Sequence, residues 1–260
     1  MTRVGDLLEL DGVSKRFGGV EAVRRFTLTV SEGETVGLMG PNGAGKTTLF
    51  NLISGAMAPD EGEMAFGGEP LAGVGLHRRA SLGIARTFQI PRPFSRMTVA
   101  ENVEAGAAFG RLSEPRIRAS TSARETLDRV GLLESADVLA GSLSLADQRR
   151  LEIARALATA PKLLLLDEVM AGLSAVERRQ MIALIAQLRE ERGLAMIVSE
   201  HVVDAVTRLC GRVVVMNRGM KLADGETGGV LASVPVVEAY LMGAAKRAGE
   251  GRAVAPGAGA

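Results

Sequence analysis

The sequence predicts an α/β protein with three parts: a largely parallel sheet between helices, an antiparallel β-layer on its amino-terminal side, and a helical insertion. Three observations carry this reading. Leu163-Leu164-Leu165-Leu166 is apolar without alternation, as a central strand covered on both faces must be. Thr35-Val36-Gly37-Leu38-Met39 is a short buried strand that runs into a glycine-rich turn and then a helix over Thr48 to Ser54. From Thr98 to Ala140 nothing alternates like a strand, whereas helical spacing persists.

In chain order, Leu7 to Phe17 is strand-like around Asp11-Gly12, and Gly18-Gly19 makes a turn. Phe26 to Val30 alternates apolar residues with Thr, and Ser31 to Glu34 turns the chain. Met64 to Phe66, with Gly67-Gly68 after it, is a further short hairpin. These segments form the antiparallel layer. Ser81 to Phe88 reads as a strand returning to the core and ending at Gln89. Ile90 to Arg96 contains Pro91, Pro93, Arg92 and Arg96, which is loop chemistry. Thr98-Val99-Ala100-Glu101 is a capping box, and Gly110, Pro115 and Gly131 divide the stretch from there to Ala140 into two or three helices. Ser144 to Ala158 is a helix with Ser144 at its N-cap, an apolar face of Leu151, Ala154 and Leu157, and Pro161 beyond its end. Ser174 caps the next helix with Glu177 at N3. Ile182, Ile185 and Leu188 form its stripe, and Gly193 ends it. Ala195 to Ser199 is another buried strand. Arg212 to Met216 and Met220 to Ala223 make a final hairpin, and Pro235 to Met242 a short helix. The expected domain is 1–243 with a helical insertion at about 90–158, and the Ala/Gly-rich residues 244–260 read as a disordered tail.

Bulk properties narrow the function. The net charge of +1 gives no reason to expect attraction to nucleic acid. The single Cys210 cannot form an internal disulfide, which points to a reducing compartment. The first ten residues carry acids and no apolar core of a secretory signal, and no apolar run approaches the roughly 18 residues that span a bilayer. The expectation is a soluble protein, or one held to a membrane by a partner.

The turn after the first buried strand, Gly40-Pro41-Asn42-Gly43-Ala44-Gly45-Lys46-Thr47-Thr48, fits G-x-x-x-x-G-K-[ST], the phosphate-binding loop. Glycines let backbone N–H groups wrap a polyphosphate closely, and the helix after the loop adds its positive end. In this motif Lys46 reaches the β- and γ-phosphates and the Thr47 hydroxyl binds Mg²⁺. Asp167 ends the Leu163–Leu166 strand and Glu168 comes directly after it. At that lip of the sheet Asp167 is placed to hold Mg²⁺ and Glu168 to polarise the attacking water. His201 lies two residues beyond Ser199, at the end of the next strand, where a γ-phosphate contact competes with simple surface exposure. Gln89 is open in the same way: a solvated strand end, or a contact to Mg²⁺ or the water. Phe17 is either core or, in a chain with no Trp and one Tyr, a platform for adenine.

Together these pieces resemble the ATP-binding-cassette ATPases, proteins with a RecA-like P-loop NTPase core. The motifs are the phosphate loop, Gln89 after Arg86-Thr87-Phe88, the Leu-rich strand with Asp167-Glu168, Ala171-Gly172-Leu173, and Ser199-Glu200-His201. The resemblance spans the chain to about residue 242. It implies that two cassettes sandwich two ATP molecules, each between one chain's phosphate loop and the other's signature helix. It also implies Phe17 on adenine, Glu168 as the water-activating residue, His201 as a γ-phosphate switch, and Gln89 with the loop after it facing a membrane partner. Leu82 to Gln89, Arg149 to Leu157 and Val237 to Leu241 resemble in particular the ATPase subunits of branched-chain amino acid importers. Those work with a second ATPase subunit, two integral-membrane permeases and a periplasmic solute-binding protein, on the cytoplasmic face of the inner membrane. The subfamily also serves urea, amides and small acids.

The signature departs from the family's Leu-Ser-Gly-Gly-Gln. It reads Leu143-Ser144-Leu145-Ala146-Asp147, and Val169 replaces the usual Pro after Asp-Glu. Ser144 keeps its hydroxyl, Ala146 adds a methyl where backbone meets phosphate, and Asp147 adds a like charge beside a tetra-anionic nucleotide. The expectation is an asymmetric pair in which the site completed by this signature is the weaker, so a heterodimer is favoured over a homodimer. The alternatives are a lipopolysaccharide-export ATPase, a soluble cassette ATPase acting on nucleic acid or ribosomes, and a regulatory subunit without turnover.

Overall fold

A computed structural model of the chain describes residues 6–108, 122–233 and 236. Its centre is a six-stranded sheet in the order β10-β9-β3-β8-β7-β6. These strands are Met220–Glu226, Arg212–Asn217, Thr35–Met39, Ala195–Ser199, Leu163–Asp167 and Ile84–Arg86. All neighbours run parallel except β10, which closes one edge antiparallel. The Leu-rich β7 has every residue buried because both faces are covered. Leu164 and Leu166 enter a core with the helices, and Leu163 and Leu165 enter a second core beneath the other sheet. In β8, Met196 and Val198 take the first side, Ala195 and Ile197 the second.

The second sheet is the expected antiparallel layer, in the order β2-β1-β4-β5. Its strands are Val20–Ser31, Asp6–Phe17, Glu61–Phe66 and Glu69–Pro70. Phe26 and Phe50 are the largest fully buried side chains of the core between the two sheets. The first strand runs to Phe17 as expected, whereas the second, Val20–Ser31, is longer than the Phe26 to Val30 that the sequence pattern implies. Register shifts near Leu10–Val13 and Val13–Arg16 interrupt the alternation from which the second strand's length would be read.

Helix α1, Lys46–Ser54, comes after the glycine-rich turn. Helices α3 (Val99–Ala107), α4 (Ala123–Arg129) and α5 (Leu145–Ala158) form the helical layer. Helix α6 (Ala175–Arg192) starts at Ser174 and packs on the sheet through Ile185 and Leu188. Thr98 and Ser174 each form the expected capping box with Glu101 and Glu177.

The strand expected over Ser81 to Phe88 is corrected. Leu76–Leu82 is a helix, α2, which Gly83 ends at φ +108°, and only Ile84–Arg86 pairs as β6. A short apolar run before a glycine fits a helix end as well as a strand, and tertiary packing decided it. Helices α7 (Val203–Leu209) and α8 (Thr227–Leu231) carry too short an apolar pattern to be foreseen. The helix expected at 235–242, apart from Val236, and the tail from 244 lie outside the described residues.

Two contacts fix the layers. At Gly37 a Cβ would stand 2.8 Å from Val206 Cγ1 and 3.4 Å from Cys210 Sγ, so the missing side chain lets β3 approach α7. Cys210 is buried there, and burial pushes its thiol up to about 12. On the other side the buried Arg79 guanidinium donates to the carbonyls of Leu52 (2.6 Å), Ile53 (3.0 Å), Leu71 (3.0 Å) and Val74 (2.7 Å). It thereby satisfies the end of α1 and the segment after β5 with one side chain. Arg79→Leu would remove all four of these bonds from a buried site, leaving the Leu52 and Leu71 carbonyls only their backbone donors Gly55 and Val74, and we expect a loss of about 3 kcal/mol or more in urea unfolding. A loss below about 0.5 kcal/mol would refute this role.

Candidate functional site

The parallel register brings four strand ends to one lip. Asp167 of β7 pairs with Ser199 of β8, and Ser199 pairs with Leu38 of β3. The glycine-rich turn leaves β3 at this lip, Glu168 leaves β7, and Glu200-His201 leaves β8. Gln89 lies three residues past β6.

The turn has the geometry of a cradle. Gly40, Gly43 and Gly45 have φ of +153°, +78° and +106°. A Cβ on Gly40 would stand 2.3 Å from the Met216 carbonyl oxygen, and one on Gly45 2.2 Å from that of Ala22, so neither tolerates a side chain. Gly43 faces open space and the Thr47 side chain is exposed, so ligand can reach both. Lys46 is buried and its ammonium donates to the carbonyls of Gly40 at 2.7 Å and Pro41 at 3.3 Å. Burial lowers its pKa, against the pull of Glu168, Asp167 and Glu200. The Ala22 carbonyl that abuts Gly45 belongs to β2, which hairpins from Phe17. Phe17 is about half exposed, with Lys15 Nζ 6.0 Å from its ring centre, so it is not core.

Asp167 is buried, which raises its pKa, while a 2.8 Å hydrogen bond from Arg86 Nη2 opposes the shift. The Arg86 guanidinium lies 5.6 Å from the ring centres of both Phe50 and Phe88 and also donates to Asn51 Oδ1. Gln89 Nε2 donates to Glu168 Oε2 at 2.8 Å. The residues read as water-activating and metal-contacting are thus joined directly. His201 stands exposed just past β8.

Ser144 and Ala146 lie apart in kind: they open helix α5. Ser144 Oγ accepts the Asp147 N–H at 3.2 Å and donates to Asp147 Oδ2 at 2.7 Å. The Asp147 carboxylate is therefore folded back on the cap. Along the same helix Arg149 donates to the Phe88 carbonyl (3.0 Å) and Arg155 to the Arg92 carbonyl (2.8 Å). Between them the buried Glu152 carboxylate faces the backbone N–H groups of Arg92 and Phe88, although burial raises its pKa. The Arg155 guanidinium also lies 4.7 Å over the Phe94 ring. One helix thus grips the backbone on both sides of Gln89.

Sequence reasoning missed Arg86, Arg149 and Glu200 as parts of this site. The available signals were a charge closing an apolar strand, for Glu200, and charges at positions 149, 152 and 155, spaced three apart along one helix.

Residues 23–171 match the family described as ABC transporter. The chain belongs to the ABC transporter family. It is accordingly an ATP-binding ATPase subunit of a transporter. Over 248 residues it is 39% identical to the high-affinity branched-chain amino acid transport ATP-binding protein LivG of Salmonella typhimurium, covering 90% of this chain and 97% of that one. Over 235 residues it is 34% identical to the lipopolysaccharide export system ATP-binding protein LptB of Haemophilus influenzae, again covering 90% and 97%. A solved nucleotide-free ATP-binding cassette from an ABC transporter matches with a TM-score of 0.80 at 28% identity, over 90% of this chain and 98% of that one. The two sheets and helical layer are the cassette fold.

Glu200 gives this cassette a pH signature. It is fully buried, and burial pushes its carboxyl up to about 7, helped by Glu168 and opposed by Arg149 and the N–H groups of Met170 and His201. The folded chain therefore holds a proton that the unfolded chain releases near pH 4.5. Stability from this group is full below that pH and is lost as pH rises through about 7, by on the order of 3 kcal/mol. Urea midpoints of the parent should fall, relative to those of Glu200→Gln, between pH 4.5 and 8; parallel curves would contradict this.

Proposed function

We propose that this chain is the ATP-hydrolysing subunit of an importer for branched-chain amino acids or a similar small polar solute, such as an amide, urea or a small acid. The observation that carries the reading is the joined lip of Lys46, Asp167, Glu168 and Gln89 in a chain 39% identical, nearly end to end, to LivG. The lower identity to LptB makes lipopolysaccharide export the second reading. The cassette runs over 1–243, with the helical insertion at about 90–158.

In this reading the backbone N–H groups of the loop from Gly40 to Thr48 cradle the phosphates, Asn42, Ala44 and Pro41 (which has no N–H of its own) serve as framework, and Lys46 neutralises them. A hydroxyl, an amide and a carboxylate, from Thr47, Gln89 and Asp167, form an oxygen donor set that fits Mg²⁺, and these residues would hold it. Bound Mg²⁺ supplies charge neutralisation on the phosphates. Glu168 takes hydrogen bonds from the attacking water, and Gln89, bonded to Glu168 Oε2, fixes the carboxylate's orientation. His201 contacts the γ-phosphate and Phe17 stacks on adenine.

Ser144 and Ala146 serve the ATP held by a second cassette. Because the Ser144 hydroxyl is already given to Asp147, this half is the weaker, and a different ATPase subunit is favoured as the partner. The loop after Gln89 meets integral-membrane permease subunits at the cytoplasmic face of the inner membrane, a periplasmic solute-binding protein acts at one remove, and no nucleic acid is involved.

Glu168→Gln should lower hydrolysis by about 10²-fold or more while ATP stays bound. Unchanged turnover would remove Glu168 from its role. Reconstituted with its permeases, the parent should drive uptake of a labelled branched-chain amino acid into vesicles; lipopolysaccharide extraction instead would favour the second reading. Ala146→Gly with Asp147→Gln should tighten nucleotide binding at one of the two sites in the assembled transporter. Two unaltered affinities would remove the asymmetry.

A further inference from the structure

Glu168 adopts φ +48°, the left-handed region that a side-chain-bearing residue occupies only when its surroundings over-determine it. Two hydrogen bonds do so here, and both acceptors belong to the end of β8. The Glu168 N–H donates to the Ser199 carbonyl at 2.9 Å, and the Met170 N–H donates to Glu200 Oε1 at 3.0 Å. A third strut comes from helix α5, where Arg149 Nη2 donates to the Ala171 carbonyl at 3.5 Å. The turn from Glu168 to Ala171 is thus pinned from the next strand and from the signature helix.

Glu200 is an expensive residue for such a place. It is wholly buried, and among the described residues its Oε2 has no hydrogen-bond partner. An apolar side chain would fill the position at lower desolvation cost. What an apolar side chain cannot do is accept the Met170 N–H.

We propose that Glu200 is a positioning residue for ATP hydrolysis: its Oε1, held at the end of β8, accepts the Met170 N–H and so keeps the strained turn that aims the Glu168 carboxylate. The proposal rests on the reading of Glu168 as the residue that readies the water. The geometry also ties that aim to His201, the next residue along the chain, so displacement of the β8 end displaces Glu168 with it.

The test uses the full-length chain assembled with its partner subunits, with Mg·ATP, and compares Glu200→Met, which keeps the volume but loses the acceptor, with Glu200→Gln, which keeps it. Glu200→Met should lower kcat about tenfold or more, with the ATP Kd changed less than about twofold, because the turn loses its aim and not its ligand. Glu200→Gln should return kcat to within about threefold of the parent. The proposal is overturned if Glu200→Met keeps the parent kcat, if kcat and ATP affinity fall together, or if Glu200→Gln is as slow as Glu200→Met. Hydrogen exchange on the parent needs no variant: a protected Met170 amide supports the proposal and an unprotected one overturns it. Glu168→Gln separates the two levels. If it turns over normally, the reading beneath falls and takes this one with it. If it is inactive while Glu200→Met is normal, only the role of Glu200 is lost.

Discussion

The hydrogen-bond register of β3, β8 and β7 is the constraint on which the rest depends. It sets Leu38 and Asp167 level with Ser199, so the glycine-rich turn and an acidic turn leave the sheet at one height. Each strand feeds two cores by alternate residues, so a slip of one position would exchange the sets Leu163/Leu165 and Leu164/Leu166 between cores of different shape. Register is thereby specified twice over, once on each face. The site inherits its precision from packing that never touches a ligand.

Burial moderates the charges gathered at that lip. It draws Asp167 and Glu200 toward the protonated form and Lys46 and Arg149 toward the neutral one, and the opposed signs restrain each shift. The site is therefore less polar in effect than its residue types imply. Arg86 acts here as counter-charge to Asp167, clasped between two phenylalanine rings that exclude water from the pair.

Much of this was legible in the chain. β3, β7 and β8 were readable to the residue, because unbroken apolar runs bounded by polar residues have one interpretation in a sheet covered on both sides. The caps at Thr98, Ser144 and Ser174 were readable because their partners sit three residues away. Arg86 and Glu200 were not, since the groups they serve lie 81 and 30 residues off along the chain, and local pattern carries no information about which ends meet. The misread stretch from Ser81 to Phe88 failed for the same reason: its apolar residues fit either period, and contacts with α1 and β7 chose between them.

The seat of Cys210 has a practical corollary. With its sulfur wedged against β3 at Gly37 and its ionisation pushed up to about 12, almost no thiolate exists at neutral pH. Alkylating probes should pass the native protein by. A single cysteine engineered onto the surface would then carry the whole of any label, giving an otherwise unmodified cassette a clean attachment point for distance measurements.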